Sequence, residues 1–291
     1  VPTITGMLLV SAAEMASHLD DPTWVVFDCR HDLADPEKGA RLYAEAHLPG
    51  AFFAAVDRDL SGPKGAGGGR HPLPSPEALA AFFAAHGVTV ETTVVAYDDV
   101  GGQYAARLWW LARWIGLSRV ALLDGGLPKW IAEGRPLTAM VMARPAVASG
   151  LRPCVDDTLR VDAAEVGRRI GDDSCALIDA RAAERYRGEV EPLDPVAGHI
   201  PGARNRFYKA NIRADLTFRP AEELRREFTA LLAGVSPTAV AHQCGSGITV
   251  CANLFAMEYA GLGGSKLYPG SWSEWVSDPA RPVARTGEPG P

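Results

Sequence analysis

Apolar residues in this chain fall into short, dense runs, each closed by a polar turn. WVVFDCR (residues 24–30) ends on Asp28-Cys29-Arg30, and CALIDAR (175–181) ends on Asp179-Ala180-Arg181. Continuous apolar runs of this length, bounded by charged turns, predict strands of a parallel sheet buried on both faces. Two further runs, TTVVAYDD (92–99) and TAVAHQCG (238–245), lead through glycine-containing loops into YAARLWWLARWIGL (104–117) and TVCANLFAMEYAGL (249–262), whose apolar spacing predicts helices. The remaining signals also come twice. His47-Leu48-Pro49-Gly50-Ala51 is matched by His199-Ile200-Pro201-Gly202-Ala203. Leu123-Asp124-Gly125-Gly126 precedes Trp130, and Tyr268-Pro269-Gly270-Ser271 precedes Trp272 and Trp275.

A set of signals repeated in order indicates an internal duplication. Strands alternating with helices indicate α/β units. The expected architecture is two α/β domains, each a parallel sheet flanked by helices. Their bounds are read as 7–141 and 159–285, with a linker at 142–158 where Pro, Gly and Ala replace any periodic pattern. The glycine-rich run at 62–74 is read as a loop of the first domain, and it lacks the lysine-serine ending of a phosphate-binding loop.

Composition agrees with this picture. The 291 residues exceed what one core usually takes. A net charge of −6 gives no reason to expect nucleic acid or an anionic membrane as partner. The five cysteines are odd in number and contain no CxxC pair, which argues against a zinc site or a disulfide framework and for a reducing compartment. No apolar run is long enough to cross a membrane and the first residues lack a basic signal region, so cytoplasm is the expected compartment. Monomer is the default, and no metal or organic cofactor is expected.

One cysteine stands apart. Cys244 follows a predicted strand directly and precedes a helix expected to start near Thr249 or Val250. Ligands of doubly wound sheets bind at this end of the strands. Gly245 and Gly247 let the loop curl so that several N–H groups point inward, and the helix N-terminus adds partial positive charge. Such a setting favours a thiolate, or a persulfide anion carried on it. Cys29, Cys154, Cys175 and Cys251 are read as small buried residues, Cys251 lying two turns along the helix that follows Cys244. At the equivalent point of the first half stands Asp98, so that domain is expected to be catalytically inactive.

Together these residues resemble the rhodanese superfamily from about Leu9 to Val283: the paired Asp-x-Arg and His-x-Pro-Gly-Ala signals, the cysteine loop and Tyr268-Pro269-Gly270-Ser271-Trp272-Ser273-Glu274-Trp275. The resemblance implies a sulfurtransferase with tandem domains. It would pass sulfur from a small-molecule donor, through Cys244, to cyanide, a thiol or a thioredoxin-like reductant. The loop Cys244-Gly245-Ser246-Gly247-Ile248-Thr249 is similar to that of members using 3-mercaptopyruvate, which usually reads Cys-Gly-Ser-Gly-Val-Thr. Members using thiosulfate usually carry basic residues after the cysteine. The loop residues are therefore expected to bind substrate, as is Arg185, which matches the family arginine that reaches the substrate anion. A second family arginine is replaced here by Leu193. Ser246 and His71 match two members of a serine–histidine–aspartate relay whose third position falls on Ala55, with Asp57 the nearest carboxylate. His47 and His199 are read as structural, Trp272 and Trp275 as wall and core. The alternatives are thiosulfate as main donor, or a non-catalytic binding module. A phosphatase of related fold would need an arginine where Val250 stands.

Overall fold

The computed structural model describes residues 7–65, 68–141 and 150–286. The chain forms two compact α/β units. The first is built from the residues up to Gly62, from Pro74–Asp156 and from Ile212–Phe218. The second is built from Pro63–Leu73, from Asp157–Asn211 and from Arg219 onward. Part of the stretch read as linker, 142–149, lies outside the described residues. The glycine-rich run read as a loop of the first domain belongs with the second unit, a correction whose cause is given below with the site.

In the first unit the strands are β1 (Leu9–Val10), β2 (Trp24–Asp28), β3 (Phe52–Phe53), β4 (Thr93–Tyr97) and β5 (Val120–Leu123). They form a parallel sheet in the order β1-β5-β4-β2-β3. Its helices are α1 (Ala12–Ser17), α2 (Lys38–Glu45), α3 (Pro76–Ala85), α4 (Ala105–Trp114) and α5 (Gly126–Ala132). In the second unit β6 (Ala176–Asp179), β7 (Arg204–Asn205), β8 (Val240–Gln243) and β9 (Lys266–Leu267) form a parallel sheet in the order β7-β6-β8-β9. Its helices are α6 (Ala163–Arg168), α7 (Ala183–Arg187), α8 (Ala221–Leu232), α9 (Cys251–Tyr259) and α10 (Ser271–Trp275). The long apolar runs of the sequence are thus the central strands, buried on both faces as parallel sheets require. No helix among the described residues is long and apolar enough to cross a membrane.

Each unit has its own core. Val10, Met15, Val26, Val95, Leu123 and Trp130 pack together in the first, and Val166, Ile200, Ala241, Tyr268, Trp272 and Trp275 in the second. The duplication extends to fine detail. Arg30 Nη2 bonds Asp28 at 2.6 Å and the Ala46 carbonyl at 2.7 Å; Arg181 Nη2 bonds Asp179 at 2.6 Å and the Gly198 carbonyl at 2.7 Å. His47 stacks on Tyr43 and His199 on Tyr186, each at 3.9 Å between ring centres. Each of these histidines bonds the carbonyl of that tyrosine through Nδ1 and pairs its backbone with a late segment, Thr138 or Ala284.

The cysteines divide differently from the sequence reading. Cys29 and Cys251 are buried, but Cys154 is exposed and Cys175 half-buried, because both lie outside the strands and helices. Cys251 is the first residue of α9, not two turns in, since the loop after Cys244 takes up all residues to Val250.

His242 on β8 is fully buried, with Nδ1 unpaired among the described residues and Nε2 3.2 Å from the Met257 sulfur. Burial lowers its pKa from 6.5 to about 3, so the folded chain keeps it neutral where the unfolded chain protonates it. The unfolded state therefore binds more protons between these two values, and stability falls as pH falls through that window. Each unit of pH removes about 1.4 kcal/mol. Wild type should lose stability more steeply than His242→Gln from pH 6 down to pH 4, by roughly 2–3 kcal/mol over that span. Parallel denaturant titrations check this, and equal slopes would refute it.

Candidate active site

The site gathers at the carboxyl end of β8. Cys244 follows Gln243 directly and is almost wholly buried. Its carbonyl accepts from the Trp272 N–H at 3.0 Å, and its own N–H donates to Ser271 Oγ at 3.2 Å. Ser271 in turn donates to the Tyr268 carbonyl at 3.0 Å. It does so from a left-handed backbone, φ 53°, a conformation that costs a non-glycine residue roughly 1–2 kcal/mol. The next turn is locked as well: the Ser273 N–H donates to the Gly245 carbonyl at 3.0 Å. Gly247 is left-handed, φ 81°, and a Cβ there would lie 2.3 Å from the Pro269 carbonyl oxygen. Only glycine satisfies both demands.

The loop from Gly245 to Val250 joins Cys244 to α9. The N–H groups of Gly245, Ser246, Ile248, Thr249 and Val250 donate to no acceptor among the described residues. What such a loop can hold is seen in the first unit. There Asp98 follows β4 as Cys244 follows β8, and α4 starts at Ala105 as α9 starts at Cys251, so the two loops have equal length. The buried Asp98 carboxylate accepts from the N–H groups of Val100 at 3.0 Å, Gly102 at 2.8 Å, Tyr104 at 2.8 Å and Ala105 at 3.1 Å. Burial raises the Asp98 carboxyl above its ordinary pKa, and the four amide bonds oppose that shift. In the equally long loop after Cys244 the corresponding positions are Ser246, Ile248 and Val250, with Gly247 left-handed as Gly101 is, but Ile248 lacks the left-handed backbone of Gly102.

His71 Nδ1 lies 2.8 Å from Ser246 Oγ, both side chains being buried. This contact explains why Pro63–Leu73 belongs with the second unit. Two more hold the same segment. The Arg70 N–H donates to Ser273 Oγ at 3.0 Å, and the Arg70 guanidinium pairs with Asp194. Ala55 and Asp57, considered for a third relay member, lie in the first unit.

Arg185, on α7, donates to Glu191 through Nη2 at 2.6 Å and Nε at 3.3 Å, and its Nη2 stands 3.6 Å from Asp194. Glu191 also meets Arg181 Nη1 at 3.3 Å, and the Arg181 guanidinium lies 4.6 Å from the centre of the Trp272 ring. Trp272 and Trp275 are fully buried core residues. Burial pushes the Asp194 carboxyl above its ordinary pKa, against the pull of Arg70 and Arg185.

Cys244, Gly245, Ser246, Gly247, Ile248, Thr249, His71 and Arg185 thus fall within one unit, on or around one loop. Arg70, Glu191 as a carboxylate shared by Arg181 and Arg185, Asp194 and Ser271 were not foreseen as parts of this site. For Arg70 a signal was present: it directly precedes His71 in the segment that supplies a predicted site residue.

The rhodanese-like domain family matches residues 11–133 and 162–278. A Pseudomonas aeruginosa protein named probable 3-mercaptopyruvate sulfurtransferase is 49% identical, over 96% of this chain and 98% of its own length. A Mycobacterium tuberculosis protein named putative thiosulfate sulfurtransferase is 38% identical over 96% of this chain and 98% of its own. The solved structure of Escherichia coli SseA, described as a 3-mercaptopyruvate sulfotransferase, superposes with a TM-score of 0.78 at 29% identity, covering 92% of this chain and 99% of that one. Two matched domains in tandem, and relatives of this identity along nearly the full length, show that the chain belongs to the rhodanese family.

Proposed function

We infer that this protein is a sulfurtransferase that takes sulfur from 3-mercaptopyruvate, carries it as a persulfide on Cys244 and passes it to cyanide or a thiol. The observation that carries this reading is the loop after Cys244: its unpaired amides at Ser246, Ile248 and Val250 correspond in position to those of Val100, Gly102 and Tyr104, which hold the Asp98 carboxylate in the first unit. They are placed to stabilise an anion on the thiol.

In the first half-reaction the Cys244 thiolate attacks the donor sulfur. The carbon–sulfur bond breaks, its electron pair passes to carbon as the enolate of pyruvate, and a proton completes pyruvate. Cys244 is left as the persulfide. In the second half-reaction the acceptor attacks the outer sulfur and the sulfur–sulfur electron pair returns to Cys244. Cyanide leaves as thiocyanate, or a thiol leaves as a new persulfide. This is two-step covalent catalysis. Ser246 and His71, hydrogen-bonded to each other, are positioned to polarise the donor carbonyl and to handle the proton. Arg185 holds the carboxylate.

The charges around Arg185 favour this donor over thiosulfate. Arg185 and Arg70 are balanced by Glu191 and Asp194. A dianion would meet a surface of little net charge, whereas a monocarboxylate needs only directed donors. Sulfur transfer to cyanide, measured as kcat/KM for each donor, tests the choice. The expected preference for 3-mercaptopyruvate is about tenfold or more, a difference of about 1.4 kcal/mol in the transition state. Equal use, or a preference for thiosulfate, would overturn the donor assignment. Mass spectrometry of enzyme treated with donor alone should find one added sulfur atom on the peptide containing Cys244.

A further inference from the structure

We propose that Arg70 is a substrate-binding residue: with Arg185 it forms a two-guanidinium clamp for the donor carboxylate. This rests on the sulfurtransferase reading given above and adds a residue that the family resemblance does not supply, since the position of a second family arginine is occupied by Leu193.

The geometry converges on Gly245, the residue after the nucleophile. A Cβ built on Gly245 would lie 2.9 Å from Arg70 Nη2 and 3.6 Å from both Nη1 and Nη2 of Arg185. Two guanidinium groups therefore flank one point on the residue that follows Cys244. The backbone of Gly245 is not left-handed, so glycine is not required there by conformation. Its missing side chain leaves the space that Arg70 enters.

Both arginines are held from behind. Asp194 pairs with Arg70 and lies 3.6 Å from Arg185 Nη2, while Glu191 takes Arg185 through two bonds. The Arg70 backbone is tied through Ser273 Oγ to the turn that receives the Gly245 carbonyl. These contacts leave Arg70 Nη2 and Arg185 Nη1 without a hydrogen bond among the described residues, and these two atoms border Gly245. The Arg70 side chain is 31% exposed and that of Arg185 17%, so both can meet a ligand, whereas Arg181 at 1% cannot. Leu193 is 48% exposed and offers no donor from its side chain. The clamp thus draws its second fork from the glycine-rich segment that precedes His71.

The test uses the full chain as wild type, Arg70→Ala and Arg70→Lys, with two readouts. One is steady-state transfer from 3-mercaptopyruvate to cyanide. The other is the Kd for pyruvate, the sulfur-free product that carries the same carboxylate, measured by calorimetry. Arg70→Ala should raise both KM and the pyruvate Kd by about 10- to 100-fold, the scale of one charge-assisted hydrogen-bond pair. Discharge of enzyme loaded with inorganic polysulfide, started by cyanide, should stay within about threefold, because that half-reaction has no carboxylate. Arg70→Lys should recover part of the loss, keeping the charge without the fork. Unchanged KM and Kd in Arg70→Ala, an equal loss in the discharge step, or a wild type that binds no pyruvate would each overturn the clamp. Wild type that binds pyruvate through Arg70 yet transfers sulfur from neither donor would instead overturn the sulfurtransferase reading.

Discussion

Cys244→Ser should lower sulfur transfer from either donor by about four orders of magnitude or more, the usual consequence of removing the nucleophile in two-step covalent catalysis. Serine fits the space, since Cys244 is almost wholly buried and its backbone bonds to Ser271 and Trp272 do not involve the sulfur. The variant should therefore unfold at the wild-type temperature while forming no persulfide. What is lost is the sulfur atom on which the proposed persulfide would form. A serine oxygen stays protonated near neutral pH and forms no stable bond to a transferable sulfur. The matching experiment on the other thiols is informative because their settings differ. Cys251 lies seven positions further on and its sulfur points at the Gly247 carbonyl at 3.5 Å, an acceptor that disfavours a thiolate. Cys251→Ala should leave transfer within about threefold of wild type. Substantial transfer by a folded Cys244→Ser protein would move the chemistry to another residue.

The second large effect is on stability. Asp179→Ala should destabilise the fold by about 3–5 kcal/mol, as breaking a buried ion pair from one side does. Asp179 is fully buried, accepts the Arg181 backbone N–H at 2.9 Å and takes the Arg181 guanidinium through Nε and Nη2. Without it Arg181 remains buried against Trp272 with Glu191 as its nearest carboxylate. For a unit of this size the midpoint of thermal unfolding should fall by roughly 6–15 °C. Activity should fall as well, because Glu191 drawn toward Arg181 is withdrawn from Arg185. Scanning calorimetry and the KM for 3-mercaptopyruvate measure the two parts. A loss below about 1 kcal/mol would mean that water reaches Arg181 once the carboxylate is gone.

The sequence made the repeat, the sheets and the strand–loop–helix setting of Cys244 readable, and the reason is locality. A buried parallel strand announces itself as a continuous apolar run, and the loop from Cys244 to Val250 carries its glycines where its backbone needs them. The Asp28–Arg30 and Asp179–Arg181 pairs were visible as motifs because their partners are two positions apart. Arg70 was not visible in the same way. Its acidic partner, Asp194, is 124 positions away, and its loop was assigned to the half of the chain in which it is written. Ser271 was noticed as one letter of a repeated segment, but nothing in that letter signals a left-handed backbone or a bond to the nucleophile's amide. Asp98 was noticed as a cysteine lacking its sulfur. Only the coordinates reveal that its carboxylate sits among four amides.

Because Pro63–Leu73 belongs to the second unit and Ile212–Phe218 to the first, neither half of the chain as written contains the whole of its own unit. A gene fragment encoding only the residues from Asp157 onward would retain Cys244 and its loop yet lack His71 and Arg70. Under the function proposed above it would keep Arg185 and Ser246 but lose the hydrogen-bond partner of Ser246 and one arm of the clamp. Deletion of the N-terminal half would thus also remove part of the site proposed here, although Asp98 stands where a thiol would be needed in that half.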